Sequence, residues 1–257
     1  MSNIKENFQD LTKSIRDIRD QEKQISMLKD SLKGETCYII SCGPTLLENN
    51  LEKLKEELSK NICISIKQSF LMFEEFVDIH VYNCANYKNY EYGERKPLVI
   101  DSSSYPFRLG KCDISFTIKE RNFQNSVSAK QNYSDWTFDK KPFVRPYGPG
   151  IMTETIIFLI QHLGVSNVVT VGWDSEYVGE NKLKQHFYTV ETTTEKHKYI
   201  DSNDTQSIVQ KQKLLEEKDI ASEGIMSWYN WLKDNGTEMK ICSKINPAPQ
   251  QIKRVVI

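Results

Sequence analysis

The sequence predicts an α/β fold in which helices flank a parallel sheet. Short apolar segments alternate with helical patterns over the first hundred residues, and this order of elements is typical of a parallel sheet. Polar residues follow directly after most of the apolar segments, as expected where the strands end at one edge of the sheet. The strand–turn–helix pattern of residues 37–48 further predicts a Rossmann-like sheet.

The first segment, residues 1–34, is predicted to be helical. Its apolar residues recur three, four or seven positions apart, which is typical of one amphipathic helix. These residues are Ile15, Ile18, Ile25, Leu28 and Leu32. The helix could pack on its own domain, or it could be an N-terminal helical arm that docks on a partner or on a second copy of the chain. Residues 35–257 then form the Rossmann-like α/β domain.

After residue 34 the pattern predicts six strands and several helices. The strands are predicted at 37–41, 61–66, 77–83, 97–101, 167–171 and 238–242. The helices are predicted at 46–59 and 151–163, with one or two more across 205–235. Residues 102–147 are expected to form short strands and loops. The polar residues 175–204 are expected to form a lid over a cleft.

The overall composition excludes several classes of protein. The 257 residues are 39% hydrophobic, enough for a sizeable core, and the formal net charge of -1 does not favour nucleic-acid binding. No run of about 18 apolar residues predicts a membrane-spanning helix, and the first residues lack the apolar core of a signal peptide. The six cysteines include no C-x-x-C pair, so we expect no zinc site and a cytoplasmic protein with reduced thiols.

The polar strand ends form the main candidate ligand site, because such ends converge on one crevice in an open α/β sheet. They are Ser41, Cys42, Lys67, Gln68, Ser69, Asn83, Asp174 and Ser243. Lys67 could neutralise a phosphate, and Gln68 and Asn83 could hydrogen-bond a base, a ribose or a sugar hydroxyl. Ordinary turns are the alternative, since turns favour polar residues.

Two glycine-containing turns are candidate phosphate sites. The first, Ser41-Cys42-Gly43-Pro44-Thr45, leads from a strand towards a helix, whose first N–H groups and dipole favour an anion. It is neither a G-x-G-x-x-G fingerprint nor a P-loop, so a nucleotide or nucleotide-sugar is favoured over a dinucleotide. The second is Gly148-Pro149-Gly150, with Arg145 close before it to pair with a phosphate or a carboxylate.

Three residues are catalytic candidates. Asp174, after Gly172 at a strand end, could act as nucleophile, base or ligand of a sugar hydroxyl, or it could only cap the next turn. His186 and His197 lie in the polar insertion and could remove a proton from an acceptor hydroxyl, or they could be exposed to solvent. The chain contains no D-x-D sequence. A metal-independent reaction is therefore favoured.

Taken in order, these segments resemble the bacterial sialyltransferases of glycosyltransferase family 42. They are also similar to the related "protein of unknown function 115" group and to Kdo transferases. The resemblance covers roughly residues 37–245. It is carried by Ser41-Cys42-Gly43-Pro44-Thr45, Lys67-Gln68, Val81-Tyr82-Asn83, Gly148-Pro149-Gly150 and Gly172-Trp173-Asp174.

This resemblance implies a metal-independent enzyme that transfers a nonulosonic sugar, such as sialic acid or Kdo, from a CMP-activated donor to a glycan acceptor. It needs no cofactor besides that donor, and a lipid-linked acceptor would bring it to a membrane surface. The motif residues above would bind the donor. A base at His186 or His197 implies inversion, and attack by Asp174 implies retention. This chain has Cys42, Lys67 and Pro149 where the family has Asn, Asn and Ser, so its donor contacts would differ.

Two further functions stay open. The unknown-function group also includes pterin pyrophosphokinase-like proteins, and such a phosphotransferase would need ATP, magnesium and clustered carboxylates. Asp101, Asp113 and Asp174 are the candidates for that cluster. The third possibility is a non-catalytic nucleotide-binding assembly protein that uses the N-terminal arm as its interface.

Overall fold

The computed structural model describes residues 4–82, 90–102, 112–115, 152–174, 225–226, 228–243, 246, 248 and 250–257. Within this part of the chain, seven strands form one sheet, and every pair of neighbours is parallel. The strands are β1 (Thr36–Ile40), β2 (Ile62–Ile66), β3 (Ile79–Tyr82), β4 (Leu98–Asp101), β5 (Ile114–Ser115), β6 (Asn167–Val171) and β7 (Glu238–Cys242). The predicted α/β fold with a parallel sheet and flanking helices is confirmed.

The order of the strands places a switch point between β1 and β6. The sheet runs β5-β4-β3-β2-β1-β6-β7, so the chain moves outward from β1 to β5 and then continues on the other side of β1. Ile40 pairs with Val171 of β6 and with Ser65 of β2. The ends of these three strands are therefore level. Loops that leave such a point in opposite directions open a crevice where ligands bind in α/β proteins.

Both faces of the sheet are covered by helices. The helices are α1 (Ile4–Arg16), α2 (Gln21–Leu28), α3 (Leu51–Lys60), α4 (Phe70–Phe73) and α5 (Ile157–Leu163), and residues 225–226 and 228–234 are also helical. One core contains residues from α1, α2, α5 and the helical residues 225–226 and 228–234. The other contains residues from α3 and α4. Because both faces are buried, β2 is apolar at most positions instead of alternating.

The helix predicted at 46–59 is divided in two. Pro44–Glu48 form a 3-10 helix that begins at a proline, and α3 begins only at Leu51. Asn50 is the N-cap of α3, and its side chain accepts a hydrogen bond from the backbone N–H of Lys53. Asn49 is extended, with φ −82° and ψ 158°. The turn after β1 is therefore followed by a short 3-10 helix and not by a long α-helix.

The N-terminal segment packs on its own domain. It contains two helices instead of the one predicted, because the chain leaves the helix after Arg16 and Asp20 caps α2. Its apolar residues belong to the same core as the sheet; those that are buried are Phe8, Ile15, Ile25, Leu28 and Leu32. The apolar stripe that would have served as a docking face is thus covered by the sheet and α5.

None of the helices in the described ranges combines the length and the apolar character required to cross a bilayer.

Candidate ligand site at the switch point

The carboxylate of Asp174 joins the loops that follow three strands. Its Oδ2 accepts a hydrogen bond from the backbone N–H of Thr45 at 2.7 Å, and its Oδ1 accepts one from the Thr45 hydroxyl at 2.6 Å. The Ser243 hydroxyl also donates to Oδ1. Asp174 follows β6, Thr45 follows β1 and Ser243 follows β7, so one side chain holds all three loops together.

Gly43 is required where these loops meet. Its backbone N–H donates to the carbonyl of Gly172 at 2.8 Å. A Cβ at this position would lie 2.3 Å from Asp174 Oδ2 and 2.4 Å from the Gly172 carbonyl oxygen. Gly172 itself has φ +65°, a backbone conformation that glycine adopts at little cost. The two glycines therefore allow the loops after β1 and β6 to approach each other closely.

This geometry differs from the predicted phosphate site at the first turn. The N–H of Gly43 donates to Gly172, the N–H of Thr45 donates to Asp174, and Pro44 has no N–H. The turn therefore presents no free amide at residues 43–45, because the chain's own carboxylate occupies the position that suits an anion. Asp174 caps the turn after β1, whereas the sequence suggested a cap of the turn that follows Asp174 itself.

The ends of β1 and β2 are joined by two short side chains. The Cys42 thiol lies 3.1 Å from the Ile66 carbonyl oxygen, and the Ser69 hydroxyl donates to the Ile40 carbonyl at 2.7 Å. Burial raises the pKa of Cys42 to about 11, so its thiol is protonated at neutral pH and is not a nucleophile. Cys42 and Ser69 fix the edge of the sheet beside the switch point.

In the described part of the chain, the side chains of Gln68 and Ser41 are buried at this edge without hydrogen-bond partners. Gln68, at the end of β2, is only 2% exposed, yet neither its amide nitrogen nor its amide oxygen has a hydrogen-bond partner in the described part of the chain. The hydroxyl of Ser41, at the end of β1, is likewise buried without one. Buried polar groups are almost always hydrogen-bonded, and an unsatisfied one costs about 1–3 kcal/mol. These groups are therefore available to hydrogen-bond a polar ligand or water.

Lys67 is held in an unusual conformation by His80. Its φ is +52°, in a region that non-glycine residues seldom adopt. The carbonyl of Lys67 lies 2.9 Å from His80 Nε2, so this nitrogen carries the proton. His80 Nδ1 then accepts a hydrogen bond from the Tyr92 hydroxyl at 2.8 Å. Phe70 stacks on the imidazole, with ring centroids 4.7 Å apart. This buried cluster fixes the backbone that carries Lys67 and Gln68.

The structure brings most of the strand-end candidates to one edge of the sheet. Those that lie at the ends of β1, β2, β6 and β7 are Ser41, Cys42, Gly43, Pro44, Thr45, Lys67, Gln68, Gly172, Asp174 and Ser243. The remaining candidates lie outside the described residues and stay predictions. They are Asn83, Arg145, Gly148, Pro149, Gly150, His186, His197 and the predicted lid at 175–204.

Sequence reasoning missed the partners that hold the site. Thr45 and Asp174 are 129 positions apart, and no local pattern shows that they meet. Asn246 was also missed, although its side-chain N–H donates to the Trp173 carbonyl at 2.6 Å.

The three carboxylates considered for a magnesium site are not brought together. Asp113 immediately precedes β5, where it pairs with Arg16 and Lys96. Asp101 and Asp174 follow or end strands at the opposite edge. Four strand spacings separate β4 from β6, which is about 19 Å at the usual spacing. These residues therefore cannot bind one metal ion together.

No protein-family model and no curated protein matches this chain. The geometry of the switch point and the residues gathered there are therefore the basis on which a function is inferred.

Proposed function

We propose that the protein is a cytoplasmic glycosyltransferase of Rossmann-like fold that binds a CMP-activated nonulosonic sugar at the switch point. It transfers the sugar to a glycan acceptor without a metal ion. The observation that carries this proposal is the buried amide of Gln68, which has no partner among the described residues and lies at the end of β2, next to β1 of the switch point. The motif resemblance described above supplies the identity of the donor.

The Gln68 amide suits the edge of a cytosine ring. Cytosine presents an amino donor at N4 beside a ring acceptor at N3. The Gln68 oxygen can accept from N4–H while the Gln68 nitrogen donates to N3, which satisfies both groups. The nearby Ser41 hydroxyl, also unpartnered within the described ranges, can bond a further oxygen of the nucleoside. Bound ligand thus removes the cost of the buried polar groups.

The phosphate of the donor lies away from residues 43–45 in this proposal, since the amides of Gly43 and Thr45 are used internally. Lys67 is the cation at the neighbouring strand end. It is held there by the contact between its carbonyl and His80. Arg145 and the helix start at 148–150 are the further candidates for this charge. Fixed cations and backbone dipoles can stabilise a leaving phosphate without a metal.

The contacts of Asp174 favour an inverting reaction. Both of its carboxylate oxygens accept hydrogen bonds from Thr45, and one also accepts from Ser243, so we assign it a positioning role. His186 or His197 removes the proton of the acceptor hydroxyl. The acceptor oxygen then bonds to the anomeric carbon as the bond to the phosphate breaks and CMP leaves. Mass spectrometry should find no sugar attached to Asp174, and an adduct there would overturn this assignment.

A thermal-shift comparison tests the proposed ligand. The protein is melted with CMP, CDP, UDP, GDP, ADP, NAD and ATP, each with and without magnesium. Because a ligand that binds only the folded state adds about 2.7 kcal/mol of stability at 100 times its Kd, CMP should raise the Tm without magnesium. Stabilisation by ATP with magnesium alone would instead favour the phosphotransferase. CMP binding without any transfer from CMP-sialic acid or CMP-Kdo would favour the non-catalytic binding protein.

The variant Gln68→Met separates ligand binding from stability. It replaces a buried amide that has no partner in the described ranges by an apolar group of similar size. The unliganded Tm should therefore stay equal or rise, while the shift caused by CMP is lost. Gln24→Met is the matched control, because the Gln24 amide is also buried but donates to the carbonyls of Ile15 and Ile18. That control should lower the Tm and keep the CMP shift. An undiminished CMP shift in Gln68→Met would contradict the proposed base contact.

A further inference from the structure

The segment 250–257 runs alongside β7. The N–H of Ile241 donates to the carbonyl of Lys253 at 3.0 Å, and the N–H of Val255 donates to the carbonyl of Ile241 at 3.1 Å. Ile252 is completely buried in the core. Arg254 lies between the two backbone contacts, opposite Ile241. The backbone pairing and the buried Ile252 together fix the backbone position of Arg254.

The guanidinium of Arg254 closes the loop that follows β7. Its Nη1 donates to the Ser243 carbonyl at 2.9 Å, and its Nη2 donates to the carbonyls of Asn246 and Ala248 at 2.8 Å and 2.9 Å. These three carbonyls lie within six residues of one another along the chain. The planar guanidinium, with several N–H donors in fixed directions, therefore holds the backbone at Ser243, Asn246 and Ala248 together.

The same loop contacts the switch-point site. The Ser243 side chain donates to Asp174 Oδ1, and the Asn246 side chain donates to the Trp173 carbonyl at 2.6 Å. Asp174 in turn accepts from the N–H and the hydroxyl of Thr45. A continuous series of hydrogen bonds thus leads from Arg254 through the loop after β7 to the turn after β1.

The last residue of the segment 250–257 contacts the chain just after the turn that follows β1. The Ile257 carbonyl accepts a hydrogen bond from the N–H of Asn50 at 3.2 Å. The preceding residue, Asn49, donates from its side chain to the Thr45 carbonyl at 2.9 Å, and the Cys242 thiol lies 3.0 Å from Asn49 Oδ1. The segment therefore supports the turn at Thr45 from both β7 and the start of α3.

We propose that Arg254 is a positioning residue that holds the Asp174–Thr45 contact through the loop after β7. Its effect on ligand binding rests on the proposed function, but its effect on the Thr45 amide does not. Without the guanidinium, the carbonyls of the loop lose their common donor, and Ser243 and Asn246 no longer hold Trp173 and Asp174 in place. The hydrogen bond from the Thr45 N–H to Asp174 then opens more often.

Amide hydrogen exchange at Thr45, followed by NMR, tests this proposal in the full chain. In Arg254→Ala the Thr45 amide should exchange roughly fivefold to tenfold faster than in wild type. This is the change expected when the free energy of local opening falls by about the contribution of one hydrogen bond. Arg254→Lys keeps a donor that can reach part of the loop and should restore part of the protection. Amides in the centre of β1, such as that of Ile39, should be unchanged.

Arg16→Ala is the matched control. Arg16 also donates to two backbone carbonyls, those of Lys96 and Pro97, but at the opposite edge of the sheet. Its removal should lower stability without a selective change at Thr45. An unchanged Thr45 amide in folded Arg254→Ala, or an equal change in Arg16→Ala, would overturn the proposal. If Arg254→Ala does not fold, the exchange rate of the Thr45 amide is compared between Arg254→Lys and Arg16→Ala. A rate that is unchanged in Arg254→Lys, or changed equally in both variants, would then overturn the proposal.

Binding of CMP gives the second readout. Arg254→Ala should bind CMP with a higher Kd than wild type. Arg16→Ala should bind CMP with the same Kd as wild type. If wild-type protein does not bind CMP, the proposed function fails, and exchange at Thr45 still decides the role of Arg254. If the Thr45 amide exchanges faster in Arg254→Ala but this variant binds CMP as tightly as wild type, Arg254 does not position the ligand site.

Discussion

At the scale of single residues, an internal carboxylate replaces the anion that the turn after β1 was expected to bind. Asp174 accepts hydrogen bonds from Thr45 and Ser243. A charged acceptor forms stronger hydrogen bonds than a neutral one, so the contact stabilises the turn without any ligand. Residues 43–45 are therefore fixed by contacts within the chain, while Gln68 and Lys67 are the candidate ligand-binding side chains at the end of the neighbouring strand.

Gly43→Ala should destabilise the protein. The added Cβ would lie 2.3 Å from Asp174 Oδ2 and 2.4 Å from the Gly172 carbonyl oxygen, and backbone cannot move aside as a flexible side-chain end can. We expect a loss of about 1–3 kcal/mol in the free energy of unfolding, measured by urea denaturation. Gly93→Ala is the control, since nothing lies within 4 Å of its added Cβ. Equal stabilities of the two variants would contradict the close packing at Gly43.

The sequence predicted which residues would gather at this edge, but not what they would contact. Strand ends can be recognised locally, because each follows a short apolar run, and the ends of parallel strands share an edge. The partner of Asp174 cannot be recognised locally. Thr45 is 129 positions away. Threonine is common in turns, so its presence there does not indicate a specific partner.

At the scale of secondary structure elements, His80 of β3 fixes the turn after β2. It is fully buried, donates to the Lys67 carbonyl and accepts from Tyr92. Only the neutral imidazole can make both bonds at once, because a protonated ring has no acceptor for the Tyr92 hydroxyl. Burial lowers the pKa of His80 to about 3. The left-handed conformation of Lys67 is thus held by a buried histidine on the neighbouring strand.

His80 should make stability depend on pH. Its pKa in the folded protein, about 3, is below the value of about 6.5 for the unfolded chain. The unfolded state therefore binds the proton first as the pH falls. His80 leaves stability unchanged above about pH 6.5 and lowers it by about 1.4 kcal/mol per pH unit from there towards pH 3.

Urea denaturation of wild type and His80→Gln between pH 4 and pH 7 measures this dependence. Glutamine can donate to the Lys67 carbonyl and accept from Tyr92, but it does not titrate. The free energy of unfolding should fall less steeply with decreasing pH in the variant. The two slopes should differ by the amount that corresponds to the uptake of about one proton on unfolding. Parallel curves for the two proteins would show that His80 titrates normally.

The helical elements were less well predicted than the strands. The break at residues 49–50 and the break after Arg16 were both missed, since apolar spacing continues across each of them. The capping residues at these breaks are Asn50 and Asp20, and both residue types favour N-caps. Such residues are also common in loops and on helix surfaces, so a cap is recognised with certainty only when the backbone amides it accepts from are seen.

At the scale of the whole molecule, the N-terminal helices are part of the core. Lys5 of α1 donates to Asp78 at 2.6 Å and to the carbonyls of Leu58 and Asn61. Asp78 also accepts from Arg95 at 2.7 Å. These contacts lie at the edge of the sheet opposite the switch point. They attach α1 to the sheet by a buried ion pair as well as by its apolar face.

Lys5→Met should destabilise the whole domain. It leaves Asp78 buried with one cation fewer and deprives several carbonyls of their donor. Removing one partner of a buried ion pair costs about 3–5 kcal/mol, measured by urea denaturation with a single transition. Lys13→Met is the control, because the Lys13–Asp10 pair is exposed and such pairs contribute about 0–1 kcal/mol. A separate early transition in Lys5→Met would show that α1 unfolds independently of the sheet.

By itself the sequence determined the class of fold and most of the residues at the candidate site. Short apolar strands alternating with helical patterns are a local property of the chain, and a parallel sheet follows from that order because each strand needs a crossover. The position of polar residues after each strand is also local. These features need no information about distant contacts.

Only the tertiary structure decided how those residues are used. It paired Asp174 with Thr45 and Ser243, left the Gln68 amide without a partner among the described residues, and placed Arg254 over the loop after β7. It also buried the apolar stripe of residues 4–32 in the core. The physical reason is that hydrogen bonds and burial depend on groups that meet in space from distant parts of the chain, and strand order decides which of them meet.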